Sequence, residues 1–158
     1  MPGVMISPAR FAHLLQRQFP AAITTGPDGL DALQSAKGAY LLAIRLARPV
    51  IAFPGGADCM LAPGWYAYAG SANGPGGIKA RLARHFRAEK KPHWHVDRLT
   101  LAAERMFALA FPGGKECAII VALLGDTHFA VIAPGFGSSD CRQCPAHLLR
   151  FDAHPPRG

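Results

Sequence analysis

Three features of this 158-residue chain predict an α+β domain: a small central antiparallel β-sheet, about three strands plus an extra edge hairpin, flanked by helices. Tyr40, Leu42, Ile44 and Leu46 alternate with a period of two, as a strand with one buried face requires. Ile78, Leu82 and Phe86 recur at i, i+4 and i+8, the apolar stripe of an amphipathic helix. Between such runs stand Pro54-Gly55-Gly56, Gly74-Pro75-Gly76-Gly77 and Pro112-Gly113-Gly114, clusters that break regular structure and separate short elements.

In chain order, residues 1–36 read as a weakly ordered N-terminal extension. Phe11, Leu14, Leu15 and Leu30 offer helical fragments, but Pro8, Pro20 and Gly26-Pro27 interrupt them. The domain proper is expected at 37–153, with 154–158 as a tail. Its first strand starts at Gly38 and is bounded by Pro49; Val50 to Phe53 is a short edge strand, and Trp65 to Ala69 resumes after Pro63-Gly64. The helix over Ile78 to Phe86 puts Arg84 and Arg87 on its solvent side. Arg105 to Phe111 suits another strand, Cys117, Ile120, Val121 and Leu124 a second helix, and His147 to Phe151 a last strand. No internal repeat is visible.

Seventeen Lys and Arg against ten Asp and Glu leave a net charge of +7, which favours an anionic partner. The longest apolar stretch, Cys117 to Gly125, is too short to span a bilayer, so no membrane partner is expected. Four cysteines are too few and too irregularly spaced for the disulfide framework of a small secreted domain, and a cytoplasmic location is expected. Five of the seven net charges lie in 79–98, where Lys79, Arg81, Arg84, Arg87, Lys90, Lys91 and Arg98 outnumber Glu89 and Asp97. A charge run is often only a solvated helix face. Interleaving with Trp94 and three histidines favours a nucleic-acid-binding surface formed by Lys79, Arg84, Arg87, Lys90, Lys91 and Trp94.

The order Gly38-Ala39-Tyr40, Tyr68-Ala69-Gly70-Ser71, Arg81-Leu82-Ala83-Arg84-His85 and then Glu116 resembles the GIY-YIG endonuclease superfamily. His93-Trp94-His95-Val96-Asp97 and Gly135-Phe136-Gly137-Ser138-Ser139-Asp140-Cys141 are similar to its small stand-alone Uri-type branch. The resemblance implies a three-stranded antiparallel sheet bearing both signature tripeptides, a helical Arg and a later metal-binding Glu. It implies a metal-dependent endonuclease that hydrolyses phosphodiester bonds, in DNA rather than RNA, and it names Tyr40, Tyr68, Arg81, His85 and Glu116 as catalytic. Three departures stand out. Ala39 and Ala69 occupy the central positions of the tripeptides, the spacer between the tripeptides is long enough for an extra hairpin at Pro54 to Cys59, and no Asn follows Glu116 in its helix.

Each residue type suits its task. A carboxylate such as Glu116 is a ligand for Mg²⁺ or Mn²⁺, although the same Glu near a helix start is also stabilised by the helix dipole. Arg81 can donate two hydrogen bonds to a phosphate, and His85, one turn further on, titrates near neutral pH and can relay a proton. A phenol near pKa 10 is a poor base, so Tyr40 or Tyr68 needs the metal, Lys37 or His85 to act as one; the bland alternative is two tyrosines packing on a strand. His93, His95 and Asp97 suit metal binding or plain hydrogen bonding equally well. Cys141-x-x-Cys144-x-x-His147 suits a second site, for zinc, to which Cys117 could add a ligand; redox-active or inert thiols are the alternatives. The rival to an enzyme is an inactive nucleic-acid-binding module with the same fold. A third reading is a thiol or zinc protein in which the basic surface is incidental. A protein partner could supply targeting to so small a domain; oligomeric state is open.

Overall fold

The computed structural model describes residues 5–52, 59–92, 96–132 and 146–154. Helix α1 spans Pro8–Gln18, followed by strand β1 (Ile23–Thr25), a 3-10 helix (Pro27–Leu33), β2 (Gly38–Leu46), β3 (Val50–Ala52), β4 (Cys59–Leu61) and β5 (Gly64–Ala72). Then come α2 (Gly77–Phe86), α3 (Val96–Ala102), β6 (Ala103–Pro112), α4 (Glu116–Leu124), β7 (Phe129–Val131) and β8 (Leu148–Phe151). The class is α+β, as expected, but the sheet is larger than the sequence implied. Among the described residues it has six strands in the order β1-β6-β2-β5-β8-β7, every neighbouring pair antiparallel.

The three central strands coincide with the strongest sequence signals. β2 pairs along its whole length with β5, from Gly38 opposite Ala72 to Leu46 opposite Gly64, and on its other side with β6. Because side chains alternate across a strand, this register fixes two faces. Tyr40, Leu42, Ile44, Leu46 and Tyr66 pack with Ile78, Leu82, Val96 and Leu99, so α2 and α3 cover one face. Ala39, Leu41, Ala43, Trp65, Ala67 and Ala69 pack with Phe11, Leu15, Ile119, Ile120 and Leu123, so α1 and α4 cover the other. The two central alanines of the signature tripeptides are thus fully buried beneath the second helical layer.

The spacer between the tripeptides forms the expected hairpin as a separate two-stranded sheet, with Val50 opposite Leu61 and Ala52 opposite Cys59; its tip lies outside the described residues. β3 therefore pairs with β4 and does not edge the main sheet.

The segment expected as a weakly ordered extension is, from residue 5 onward, part of the domain. β1 pairs with β6, extending the sheet by an edge strand. Phe11 is fully buried, its ring 4.8 Å from the rings of both Trp65 and Phe151, and Trp65 Nε1 donates a hydrogen bond to the Ile6 carbonyl at 2.8 Å. Two of the three prolines that look like interruptions, Pro8 and Pro27, open helices here. Ser7 caps α1 by accepting from the Arg10 amide at 3.1 Å, and Pro8 follows at the first turn, where its missing N–H costs nothing. Pro27 opens the 3-10 helix in the same way.

Two helical assignments also shift. α3 gives no periodic signal in the sequence because it is only seven residues long, yet it buries Val96, Asp97, Leu99 and Thr100. α4 is apolar almost all round, so periodicity could not select its buried face. It buries Ile119, Ile120 and Leu123, while Val121, expected inside, is 64% exposed.

Candidate functional site

The residues singled out by the sequence converge toward one end of the sheet, where β2 begins and β5 ends, with Arg81 and His85 on the later turns of α2 and Glu116 opening α4. Gly38 and Gly70 make that convergence sterically possible. Gly38 has φ +147, and a Cβ there would collide with the Phe111 carbonyl on β6, so the start of β2 can lie against the end of β6 only as glycine. Gly70 stands directly opposite Tyr40 in the β2–β5 register, and its missing side chain is the space the Tyr40 phenol occupies; a Cβ would lie 2.9 Å from Cε1 and closer still to the phenol oxygen.

Laid over Gly70, Tyr40 reaches α2. Its hydroxyl and His85 Nε2 form a buried hydrogen bond of 2.6 Å. Tyr68 projects from β5 on the same face, its ring centroid 6.4 Å from that of Tyr40 and 6.2 Å from that of His85. Arg81, one turn before His85 on α2, is near enough for its charge to act on both phenols and on the imidazole. Glu116, the first residue of α4, is near enough for its charge to act on Tyr68. Tyr40, Tyr68, Arg81 and His85 thus share one buried cluster, and Glu116 reaches it through Tyr68.

Burial dominates its protonation. It holds His85 far below its ordinary value, at about 3, with the Lys90 charge adding to the effect, so the imidazole is neutral across the physiological range. Burial likewise raises both phenols, Tyr40 well above the ordinary range and Tyr68 to about 12, against the opposing pull of Arg81. Both tyrosines are thus protonated at rest. The Tyr40–His85 contact joins two neutral groups, and the imidazole tautomer decides whether the phenol donates to Nε2 or Nε2–H donates to the phenol oxygen.

The basic segment is more engaged than a solvated face. Arg84, expected on the solvent side, turns back to make a two-pronged ion pair with the fully buried Asp97, at 2.7 and 2.9 Å, tying α2 to α3. The geometry explains why Asp97 tolerates burial: both oxygens accept from one planar guanidinium. Lys90 donates to the Arg84 and His85 carbonyls at 3.1 and 2.8 Å, capping the end of α2. Lys79 pairs with Asp31 at 2.8 Å. Arg87 and Lys91 are exposed. Trp94, His93 and His95 lie outside the described residues, as do Cys141 and Cys144.

His147, read from the sequence with those two cysteines, lies within the described residues. It immediately precedes β8, and its Nε2 lies 3.9 Å from Cys117 Sγ. Donor atoms of Glu116, Cys117 and His147 all fall within 4.8 Å of one another. Asp97, Lys90 and the Cys117–His147 contact are the parts of the site that spacing did not place: the first two depend on how the chain turns back after α2, the third on segments thirty residues apart. A cleft of about 420 Å³ elsewhere, lined by Arg10, Leu14, Gln18, Asp126, His128 and Phe151 among others, contains none of these residues. The tyrosine–histidine cluster is the better candidate because its polar groups converge and are strongly perturbed by burial.

These features define a class: an α+β domain on an antiparallel sheet, with a buried Tyr–His pair, an arginine and a carboxylate gathered at one sheet end. The family model described as "Domain of unknown function DUF123" matches residues 39–157, most of the chain, and the chain belongs to that family. No curated protein and no solved structure matches it. Among the described residues no helix is long and apolar enough to cross a membrane.

Proposed function

We propose that this protein is a metal-dependent endonuclease of the GIY-YIG type, in its Uri-like branch, acting on the phosphodiester backbone of nucleic acid, with DNA as the first substrate to examine. The observation that carries the reading is the 2.6 Å Tyr40–His85 hydrogen bond within a cluster that also holds Tyr68, Arg81 and Glu116. A structural role alone does not account for gathering two phenols, an imidazole, a guanidinium and a carboxylate beneath one sheet end.

The chemistry follows from protonation states. Neutral His85 can take the phenolic proton as Tyr40 takes one from an attacking water, so two poor bases act as a relay. Tyr68 orients the water or a phosphoryl oxygen. The Arg81 guanidinium stabilises charge developing on the phosphoryl oxygens in the transition state.

Glu116 is the residue that would hold a divalent cation, since a half-buried carboxylate at the mouth of the cluster suits Mg²⁺ or Mn²⁺ with solvent completing the shell. Bound there, such an ion supplies Lewis-acid polarisation of the phosphoryl group. Exposed Arg87 and Lys91, with Lys79, offer the phosphate backbone a basic approach.

The test is incubation with labelled single-stranded, duplex and branched DNA in Mg²⁺ or Mn²⁺. Cleavage abolished by chelator and by Glu116→Ala is expected. Salt-sensitive binding with no cleavage across the panel would reject the enzyme and favour an inactive binding module.

A further inference from the structure

Glu116, Cys117 and His147 bring a carboxylate, a thiol and an imidazole within 4.8 Å of one another from two separate segments. We infer that these three side chains form a binding site for a borderline divalent transition metal of the zinc type, chemically distinct from a Mg²⁺ site. The inference shares Glu116 with the proposed nuclease but does not rest on it, because it concerns binding alone.

The donor chemistry selects the ion. Mg²⁺ takes oxygen ligands and does not recruit thiolate, whereas thiolate and imidazole together are the donor pair that zinc prefers. Distance agrees. Zn–S near 2.3 Å and Zn–N near 2.0 Å at a tetrahedral angle place sulfur and nitrogen roughly 3.5 Å apart. The observed Cys117 Sγ to His147 Nε2 separation is 3.9 Å, so a few tenths of an ångström of side-chain motion closes the site. A Cys–His hydrogen bond uses two of the three groups, and Glu116, next to Cys117 in the chain, adds a carboxylate oxygen within the same reach.

The backbone holds the donors in place. Glu116 and Cys117 open α4, which is anchored to the sheet through Ile119, Ile120 and Leu123. His147 is 6% exposed, and its carbonyl accepts from the Ala69 amide at 2.9 Å, fastening this segment to β5 beside Tyr68. Glu116, Cys117 and His147 supply three of the four ligands that a tetrahedral zinc takes. Binding replaces the Cys117 thiol proton with the ion, so one proton is released to solvent per ion bound. Because Glu116 belongs to both donor sets, zinc and Mg²⁺ compete for it.

The experiment uses full-length protein stripped with chelator and then titrated with Co²⁺ as a spectroscopic probe and with Zn²⁺ against a chromophoric chelator. Wild type is expected to show a thiolate-to-cobalt charge-transfer band saturating at one equivalent, displaced by Zn²⁺ and not by excess Mg²⁺. Cys117→Ser should abolish the band, and His147→Ala should weaken Zn²⁺ binding by roughly tenfold or more, since loss of a direct ligand costs at least what loss of an outer-shell partner does. Cys141→Ser and Cys144→Ser should retain both band and stoichiometry. A wild-type protein without the band overturns the inference with no variant needed, and so does a band that survives Cys117→Ser. Cleavage is not a readout here, so a failed nuclease assay and a failed metal site are told apart.

Discussion

Acidification should destabilise this protein through His85 in a way that a glutamine at the same position removes. With a folded-state pKa of about 3 against an ordinary 6.5, the imidazole binds its proton more readily in the unfolded chain throughout the interval between those values. Where the unfolded state holds more protons, stability rises with pH; His85 therefore costs stability as pH falls below 6.5, and the loss levels off near 3. Between pH 7 and pH 5 the linkage relation gives a loss of about 2 kcal/mol from this one group. His85→Gln keeps a nitrogen or oxygen near the Nε2 position facing Tyr40 but does not titrate. The other six of the seven histidines are common to both proteins and cancel in the difference. Urea unfolding at pH 7, 6 and 5 reads this directly: at an m-value of about 2 kcal/mol/M, the wild-type midpoint should fall about 1 M further than that of His85→Gln. Parallel pH dependences in the two proteins would refute the buried neutral imidazole, and with it the proton relay.

Three further outcomes are expected. Gly70→Ala places a methyl against the ring of Tyr40, which is only 2% exposed and cannot swing out, so circular dichroism melts should show a loss of about 1–3 kcal/mol. Asp97→Ala leaves the Arg84 guanidinium half-buried without its carboxylate and should cost about 3–5 kcal/mol by denaturant unfolding; a change below 1 kcal/mol would mean that the pair contributes nothing to holding α3 on α2. Phe11→Ala removes the ring that sits among Trp65, Phe107, Phe129 and Phe151 and should cost about 3–5 kcal/mol, whereas an unchanged melting temperature would restore the idea of a loosely attached N-terminal segment.

What the sequence revealed, and what it concealed, divides along the range of the interactions involved. β2, β5, β6 and α2 were legible because each is long enough to show its period, and β8 because its short apolar run matched a strand. α1 was discounted on account of Pro8, whose meaning depends on position: inside a helix it breaks hydrogen bonding, at the first turn it does not. β1 and β7 are three residues each and join the sheet only through partners far away in the chain, a pairing that no local pattern encodes. Tyr40, Tyr68, Arg81, His85 and Glu116 were named from ordered motifs, and their convergence follows from the β2–β5 register and the position of α2 above it. The register also explains the glycines of those motifs, which spacing alone could only record. Arg84 was misplaced because helical geometry assigns a direction to Cα–Cβ but not to a long side chain that can turn back onto a buried partner. Cys117 was linked to His147 only as one option, since their encounter depends on how β8 returns beside β5.

Single-turnover cleavage measured beside binding affinity, for wild type, Tyr40→Phe and Arg81→Ala, tests the central claim most directly. Removing the Tyr40 hydroxyl breaks the relay without removing positive charge, so cleavage should fall by about 10²-fold or more while DNA affinity stays within a factor of a few. Arg81→Ala should lose cleavage at least as severely. Cleavage by Tyr40→Phe at the wild-type rate, in protein shown to be folded, would contradict the account, because the Tyr40–His85 pair would then be part of the core and not of the chemistry.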